Sequence, residues 1–156
     1  GDELVVRVRD KELRTRLIIV LSALARYVYG IEYEPAMMLG GDGVAVLVWR
    51  HADDQYATDP RATAVTVRLE HLPFGGGARV SHWRIDGAHS NSHAVWRALG
   101  APQDPSEGDL RAIQARQELE RLEPDQSVVV RDGALTLRLA LPLPSVSLLE
   151  IRPAAS

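Results

Sequence analysis

The sequence predicts a mainly β fold, an antiparallel β-sandwich with a helical excursion between two of its strands. Several short segments alternate apolar and polar residues, which is the two-residue period of a strand with one buried face. Turn-forming residues separate these segments at short intervals, as in sandwiches and small barrels. One stretch in the second half of the chain instead follows a helical pattern.

The first strands are predicted from composition and from this alternation. Val80, His82 and Arg84 share one face of the segment "ARVSHWRID", opposite Ser81 and Trp83. The segment "GVAVLVWRH" is a compact apolar run, as expected of a buried strand. Four strands are predicted in this part of the chain, over residues 3–10, 43–51, 63–72 and 78–86.

The last part of the chain predicts a β-hairpin and a change of sheet. Asp132-Gly133, between two β-rich runs, is the dipeptide preferred by type I′ hairpin turns. The leucines at alternate positions of 135–141 then line one face. Pro142 and Pro144 interrupt the run, which indicates an edge or a crossing point between sheets. The segment "SVSLLEI" is predicted as the last strand.

The helical excursion is predicted over residues 87–124. Ser90 or Asn91 would cap a first helix that ends near Leu99. Ser106 would cap a second helix, with a carboxylate three residues later as in a capping box. This second helix is expected to run to about residue 122 and to lie on the surface.

Length and composition predict one globular domain, divided into an N-terminal segment of uncertain assignment, 1–40, and a β-sandwich, 41–156. Hydrophobic residues make up 46% and charged residues 25% of the 156 positions, with a net charge of -3 and no cysteine. Nucleic-acid binding is not expected, because it usually needs a basic face. Disulfides and thiolate metal sites are excluded.

The most apolar segment, 17–25, predicts a buried helix or strand pair rather than a membrane span. Its nine residues fall far short of the roughly 20 that cross a bilayer. No signal peptide is recognised, since the run starts too deep in the chain. We therefore expect no membrane association, and the sequence favours a cytoplasmic location.

A long motif string connects this sequence to a known family. The stretch "HWRIDGAHSNSHAVWRALGAPQDPSEGDLRAIQARQELERLEP" resembles the C-terminal part of the β-xylosidases of glycoside hydrolase family 39. The similarity lies in a strand that ends in Arg-Ile-Asp, followed by His-Ser-Asn, a Trp and a Gly-Ser/Ala-Pro-Gln motif, all of which those enzymes carry. The resemblance covers residues 42–151, with α-L-iduronidase as a more distant relative. Residues 1–40 match nothing in the family.

The resemblance implies a non-catalytic role for the chain. Family members have a (β/α)₈ barrel that supplies both catalytic carboxylates, one of them in an Asn-Glu-Pro motif, followed by a β-sandwich. The only asparagine here is Asn91, which Ser92 follows, and a barrel needs about 250 residues. We therefore expect the sandwich of a retaining β-xylosidase that releases xylose from xylo-oligosaccharides. Its partner would be the barrel, and xylo-oligosaccharides would be bound only through the barrel. Formation of a homo-oligomer is a further possibility. No catalytic residue, cofactor or metal is expected.

The polar elbow after the strand at 78–86 offers other chemistry, which we consider weaker. Asp86 with His89 or His93 and Ser90 or Ser92 could form a hydrolase triad, but no Gly-x-Ser-x-Gly motif surrounds either serine. A metal site from the three nearby histidines lacks a recognised ligand spacing. We interpret the elbow mainly as architecture, with four candidates for contact with the barrel: His89, Asn91, His93 and Trp96.

Two further tryptophans and an acidic turn complete the candidates. Trp49 and Trp83 could form a sugar-binding platform, although a core position or an inter-domain face is favoured. Asp53 and Asp54 with Asp59 could bind calcium, although a solvated turn is favoured. The alternative function is accordingly a stand-alone carbohydrate-binding or protein-interaction module.

Overall fold

The computed structural model describes residues 2–7, 33–40, 43–54 and 58–154 of the chain. Two helices lie within this part, α1 (Ser92–Ala98) and α2 (Glu107–Gln114). Nine strands accompany them: β1 (Asp2–Arg7), β2 (Tyr33–Gly40), β3 (Gly43–Arg50), β4 (Asp59–Glu70), β5 (Gly76–Ile85), β6 (Glu120–Arg121), β7 (Gln126–Val130), β8 (Leu135–Leu143) and β9 (Ser145–Pro153).

The strands form two sheets, which confirms the predicted β fold with a helical excursion. One sheet has the order β1-β4-β8, and the other has the order β2-β3-β9-β5-β6, with β7 also paired to β5. All pairings are antiparallel except that of β1 with β4. The excursion that contains both helices lies between β5 and β6.

The core lies between the sheets and is built by the alternation seen in the sequence. Valines and leucines at every second position of β3, β4 and β8 are buried, while their neighbours face outward. Two of these residues, Val67 and Leu141, have no solvent exposure. The core comprises Val44, Val46, Val48, Val65, Val67, Leu69, Leu72, Ala78, Val80, Val130, Leu135, Leu137, Leu139, Leu141, Leu149 and Ile151.

The Asp132-Gly133 turn has the predicted type, but the hairpin prediction is wrong. Both residues have positive φ angles, 50° and 69°, as a type I′ turn requires. The flanking residues Arg131 and Ala134 form a single bridge. Beyond it β7 joins β5 and β8 joins β4, so the turn connects the two sheets. β7 and β8 therefore join different sheets, because each of them pairs with the strand beside which its apolar face is buried.

The second change of sheet lies at the prolines, where the sequence predicted either an edge or a crossing point. β8 ends at Leu143 in the three-stranded sheet, and β9 begins at Ser145 in the six-stranded sheet. Proline lacks a backbone donor for a continuing ladder, so strand pairing is interrupted where the chain crosses.

The first helix agrees with its prediction, and the second is shorter than predicted. Asn91 caps α1 and Ser106 caps α2 with a capping box. α2 ends at Gln114, and residues 120–121 form β6 on β5, so the expected helix to residue 122 is wrong. Backbone bonds explain the difference, because Leu122 N donates to His82 O at 2.9 Å. Pairing with β5 outweighs local helix propensity here.

The N-terminal segment 1–40 contributes β1 and β2 to the two sheets. The division at residue 41 stays a prediction. The apolar run 17–25 lies outside the described residues. In the described part of the chain, no helix is long and apolar enough to span a membrane.

Candidate functional site

The elbow, residues 86–93, is organised by the carboxylate of Asp86. Its Oδ1 accepts hydrogen bonds from Ala88 N at 2.7 Å, His89 N at 2.8 Å and His89 Nδ1 at 2.9 Å. Its Oδ2 lies 3.5 Å from the guanidinium of Arg84. The predicted proximity of Asp86 and His89 is therefore present, and the carboxylate holds both the turn and the imidazole ring.

These bonds favour the ionised carboxylate. Burial of Asp86 would raise its pKa, but the hydrogen bonds from Ala88 and His89 more than offset burial and lower it. The side chain is only 7% exposed. A buried carboxylate with this many donors serves best as a fixed anchor for its surroundings.

Ser90 and Asn91 close the elbow through the backbone. Ser90 has a φ of 48°, and its hydroxyl donates to Arg84 O at 2.7 Å and accepts from Glu120 N at 2.8 Å. Asn91 Nδ2 donates to Asp86 O at 2.9 Å, while Asn91 Oδ1 accepts from Ala94 N. Both side chains are thus used to join β5, β6 and α1.

A polar layer adjoins the elbow, with three buried members inside the sandwich and a partly exposed carboxylate at its end. Arg84 is 2% exposed, and its Nε donates to Ser147 Oγ at 3.0 Å. Because Arg84 can only donate, the Ser147 hydroxyl is left to donate to His82 Nε2, also at 3.0 Å. His82 Nδ1 then carries the proton and donates to Glu123 Oε1 at 3.3 Å. We name Arg84, Ser147, His82 and Glu123 the polar layer.

The polar layer favours neutral His82. Burial lowers the pKa of His82, the bond to Glu123 raises it, and the charge of Arg84 lowers it, with a lowered pKa as the net result. The neutral ring satisfies both of its nitrogens in the arrangement above. Burial also lowers the pKa of Arg84, although its ordinary value lies so high that the guanidinium stays charged.

Two arginines bridge the sheets at this end of the sandwich. Arg84, on β5, donates through NH2 to Ala140 O on β8 at 2.9 Å. Arg50, on β3, donates through NH1 to Leu141 O on β8 at 3.0 Å. Each guanidinium therefore joins the six-stranded sheet to a backbone carbonyl of the three-stranded sheet.

His93 and Trp96 lie together on α1. Their ring centroids are 5.4 Å apart, and Trp96 Nε1 donates to Pro102 O at 3.0 Å. Trp96 thus fastens the helix to the loop that follows it, and its predicted contact with the barrel stays a prediction. His93 is exposed, whereas His89 and Asn91 are half-buried.

Trp49 and Trp83 lie on the outer face of the six-stranded sheet, outside the buried core. They occupy β3 and β5, which flank β9, and their partners on β9 are two residues apart, so strand geometry separates their backbones by about 12 Å. Arg121 lies over the Trp83 ring, 5.1 Å from its centroid. The structure therefore divides the six candidates into three groups, at the elbow, on α1 and on this sheet face.

The alternative chemistries find no support in the described part of the chain. The Ser90 hydroxyl is used by Arg84 O and Glu120 N, so it is not a free nucleophile beside His89. Within the described ranges, no cluster of three or more His, Asp or Glu side chains is placed to hold a metal ion. This finding includes the histidine group and the Asp53-Asp54-Asp59 group, which the sequence had offered as less favoured alternatives.

The polar layer as a unit was not predicted from the sequence. Its signal was present, since His82 and Arg84 share the strand face of buried Val80. A histidine and an arginine on an apolar face require buried partners. The partners Ser147 and Glu123 could not be found in this way, because they lie on distant segments.

Comparison with known proteins finds relatives of the chain among glycoside hydrolases. No protein-family model matches the sequence. Human α-L-iduronidase is 34% identical over 107 residues, which are 69% of this chain and 16% of that protein. A bacterial orthologue of human α-L-iduronidase has a TM-score of 0.65 at 25% identity, covering 81% of this chain and 22% of that one. A monomeric β-xylosidase from Caulobacter crescentus CB15 has a TM-score of 0.63 at 19% identity, and the match covers 83% of this chain and 30% of that one.

The chain thus spans less than a third of each of these relatives. The likeness to the β-xylosidase establishes a common fold, and the match to the iduronidases extends to the sequence. The chain is a homologue of α-L-iduronidase that shares its fold with enzymes of glycoside hydrolase family 39, which confirms the resemblance predicted from the sequence.

Proposed function

We propose that this chain is the non-catalytic β-sandwich of a retaining glycosidase and that it supports a (β/α)₈ catalytic barrel. The observation that carries the proposal is the matched length. The chain corresponds to 16% of human α-L-iduronidase and to 22% of its bacterial orthologue. A segment of this size, folded as two packed sheets, is too small to contain a barrel of about 250 residues.

The hydrogen bonding of three carboxylates near β5 supports the proposal. Retaining hydrolysis uses two carboxyl groups about 5–5.5 Å apart, one as nucleophile and one as acid/base. Asp86 is surrounded by donors from its own turn and from Arg84. Asp125 accepts from Ser81 Oγ at 2.7 Å and pairs with Arg121. Glu123 accepts from His82. Each group is already used in holding strands or turns together.

The sugar specificity is a finer part of the proposal. The motif resemblance favours a β-xylosidase that releases xylose from the non-reducing end of xylo-oligosaccharides. A second candidate is an α-L-iduronidase, which the 34% identity to the human enzyme favours. Under either candidate the sugar would be bound by the barrel.

Hydrolysis by the purified 156-residue chain tests the proposal. The substrates are an aryl β-D-xyloside and an aryl α-L-iduronide, at micromolar protein concentration. We expect release of the aryl group no faster than in buffer for both substrates. Turnover that an Asp86→Asn or Glu123→Gln substitution abolishes would contradict a non-catalytic role.

The stand-alone carbohydrate-binding module remains the competing function, and Trp49 and Trp83 are the residues that would carry it. Titration of the ¹⁵N-labelled chain with xylotetraose distinguishes the two functions. We expect the indole N–H resonances of both tryptophans to stay unchanged. Saturable shifts confined to these indoles would favour the binding module.

A further inference from the structure

The outer face of the six-stranded sheet carries a contiguous group of apolar side chains. In β3, β9 and β5, residues that are directly opposite each other point to the same face. One row across the strands consists of Trp49, Val146 and Ile85, and the next consists of Leu47, Leu148 and Trp83. We name these six residues the outer apolar face.

This face is not simply the solvent side of a sandwich. The outer face of the three-stranded sheet shows what solvent exposure selects in this protein, because it carries threonines and charged residues at the corresponding positions of β4 and β8. Its members include Thr66, Arg68, Glu70, Thr136 and Arg138. The two outer faces thus differ in chemistry although they belong to one domain.

The exposure of the outer apolar face is consistent with a surface that packs against another layer of structure. Ile85 is 45% exposed, and the other five side chains are half-buried. The six side chains carry no charge, and their only polar groups are the two indole N–H groups. Charged groups lie at the margin, where Glu150 follows Leu148 along β9 and Arg121 covers Trp83. An apolar centre with a polar margin is the usual anatomy of a protein interface.

We propose that the outer apolar face is the surface on which the helical layer of the catalytic barrel packs. This inference rests on the proposed function and adds the location of the contact. A sheet with an apolar second face requires a further layer of structure, and helices are the usual layer on such a face. The outside of a (β/α)₈ barrel is a ring of helices. The remaining 84% of the human relative supplies enough chain for such a domain.

The same face is poorly suited to sugar. Carbohydrate recognition needs polar groups around the aromatic rings. Toward the middle of the sheet the partners of Trp49 and Trp83 are Val146 and Leu148, and charged register partners lie only at the outer ends of the two rows, Glu34 on β2 and Arg121 on β6. The third row, Ala45, Glu150 and Ser81, is small or polar and ends the apolar surface. The boundary of the docking surface is therefore expected at this row.

Hydroxyl-radical footprinting with mass spectrometry tests the inference without any substitution. The 156-residue chain is compared with the native species, which is isolated from the source organism with an antibody against the chain. Oxidation of Trp49 and Trp83 should fall several-fold in the native species. His71, which is exposed directly after β4 of the three-stranded sheet, serves as an internal control whose oxidation should change little.

The outcomes separate this inference from the proposed function. A native species no larger than the chain would refute both. A larger species with fully reactive Trp49 and Trp83 would refute the docking surface and leave the proposed function in place. Strong protection already in the isolated monomer would show that another segment of the chain covers the face. Protection that disappears on dilution would show that a second copy of the chain covers the face. Either of these last two results would overturn the inference.

A pair of substitutions in the native protein gives an independent test. Ile85→Lys places a charge at the exposed end of the outer apolar face, and Ala64→Lys places one on the opposite outer face. We expect Ile85→Lys to shorten the half-life of glycosidase activity on heating several-fold, with Ala64→Lys unchanged. Equal half-lives, with both variants folded by circular dichroism, would contradict the inference.

Discussion

Replacing Arg84 by methionine tests the polar layer most sharply. Arg84 is 2% exposed and donates to Ser147 Oγ at 3.0 Å and to Ala140 O at 2.9 Å, and it lies 3.5 Å from Asp86 Oδ2. Methionine fills a similar volume but donates nothing. The Ala140 carbonyl would then lose the hydrogen bond that joins the two sheets.

The magnitude follows from these contacts. A buried acceptor left without its donor costs about 1–3 kcal/mol, and a hydrogen bond from a charged group contributes about 1.5–3 kcal/mol. Relief of the desolvation of Arg84 offsets part of this loss. We therefore expect Arg84→Met to lower the free energy of unfolding by about 2–4 kcal/mol, which corresponds to a melting temperature lower by roughly 10 °C.

Urea denaturation followed by tryptophan fluorescence and far-UV circular dichroism measures the effect. Arg68→Met is the matched control, since Arg68 also lies on a strand, but its side chain is 50% exposed and pairs with Glu70 at the surface. The control should change stability by no more than about 0.5 kcal/mol. Equal losses for the two variants, or a loss below 1 kcal/mol for Arg84→Met, would refute the assigned role of the layer.

Three further predictions concern acid sensitivity, close packing and helix capping. Because the pKa of His82 is lowered in the folded chain, the unfolded chain binds a proton just below pH 6.5 that the folded chain does not. Stability should therefore fall as the pH drops through this window. His82→Gln should make the melting temperature depend less on pH between about pH 7 and 5. A Cβ on Gly43 would lie 2.7 Å from Ile151 O, whereas one on Gly75 would approach nothing closer than 3.8 Å. Gly43→Ala should therefore lower stability by about 1–3 kcal/mol and Gly75→Ala by much less, as measured by urea denaturation. Ser106→Ala removes the hydroxyl that accepts from Asp109 N, so hydrogen exchange of the α2 amides should accelerate while the melting temperature changes by no more than a few degrees.

The sequence was sufficient for the features that local chemistry determines. The alternating leucines of β8 predicted their buried face, the prolines predicted the change of sheet, and the polar residues before α1 and α2 predicted the caps. The Asp132-Gly133 dipeptide likewise predicted its turn conformation. In each case the cause is a steric or hydrogen-bonding preference within a few residues.

The features that depend on distant partners could not be predicted. The choice of β7 to pair with β5 follows from competition between two sheets. Residues 115–122 have helix-forming composition, yet Glu120 N bonds to Ser90 Oγ and Leu122 N to His82 O. The same applies to the polar layer, where Ser147 lies 65 residues from His82 and meets it only because β9 lies beside β5.

The central claim is that this chain is one domain of a larger glycosidase. Size-exclusion chromatography combined with immunodepletion tests this directly. An extract of the source organism is fractionated by size, and each fraction is assayed for the chain and for aryl glycosidase activity. We predict that both elute at a mass several times that of 156 residues and that an antibody against the chain removes the activity. A chain that elutes at its own size, with the activity left in solution after depletion, would contradict the account.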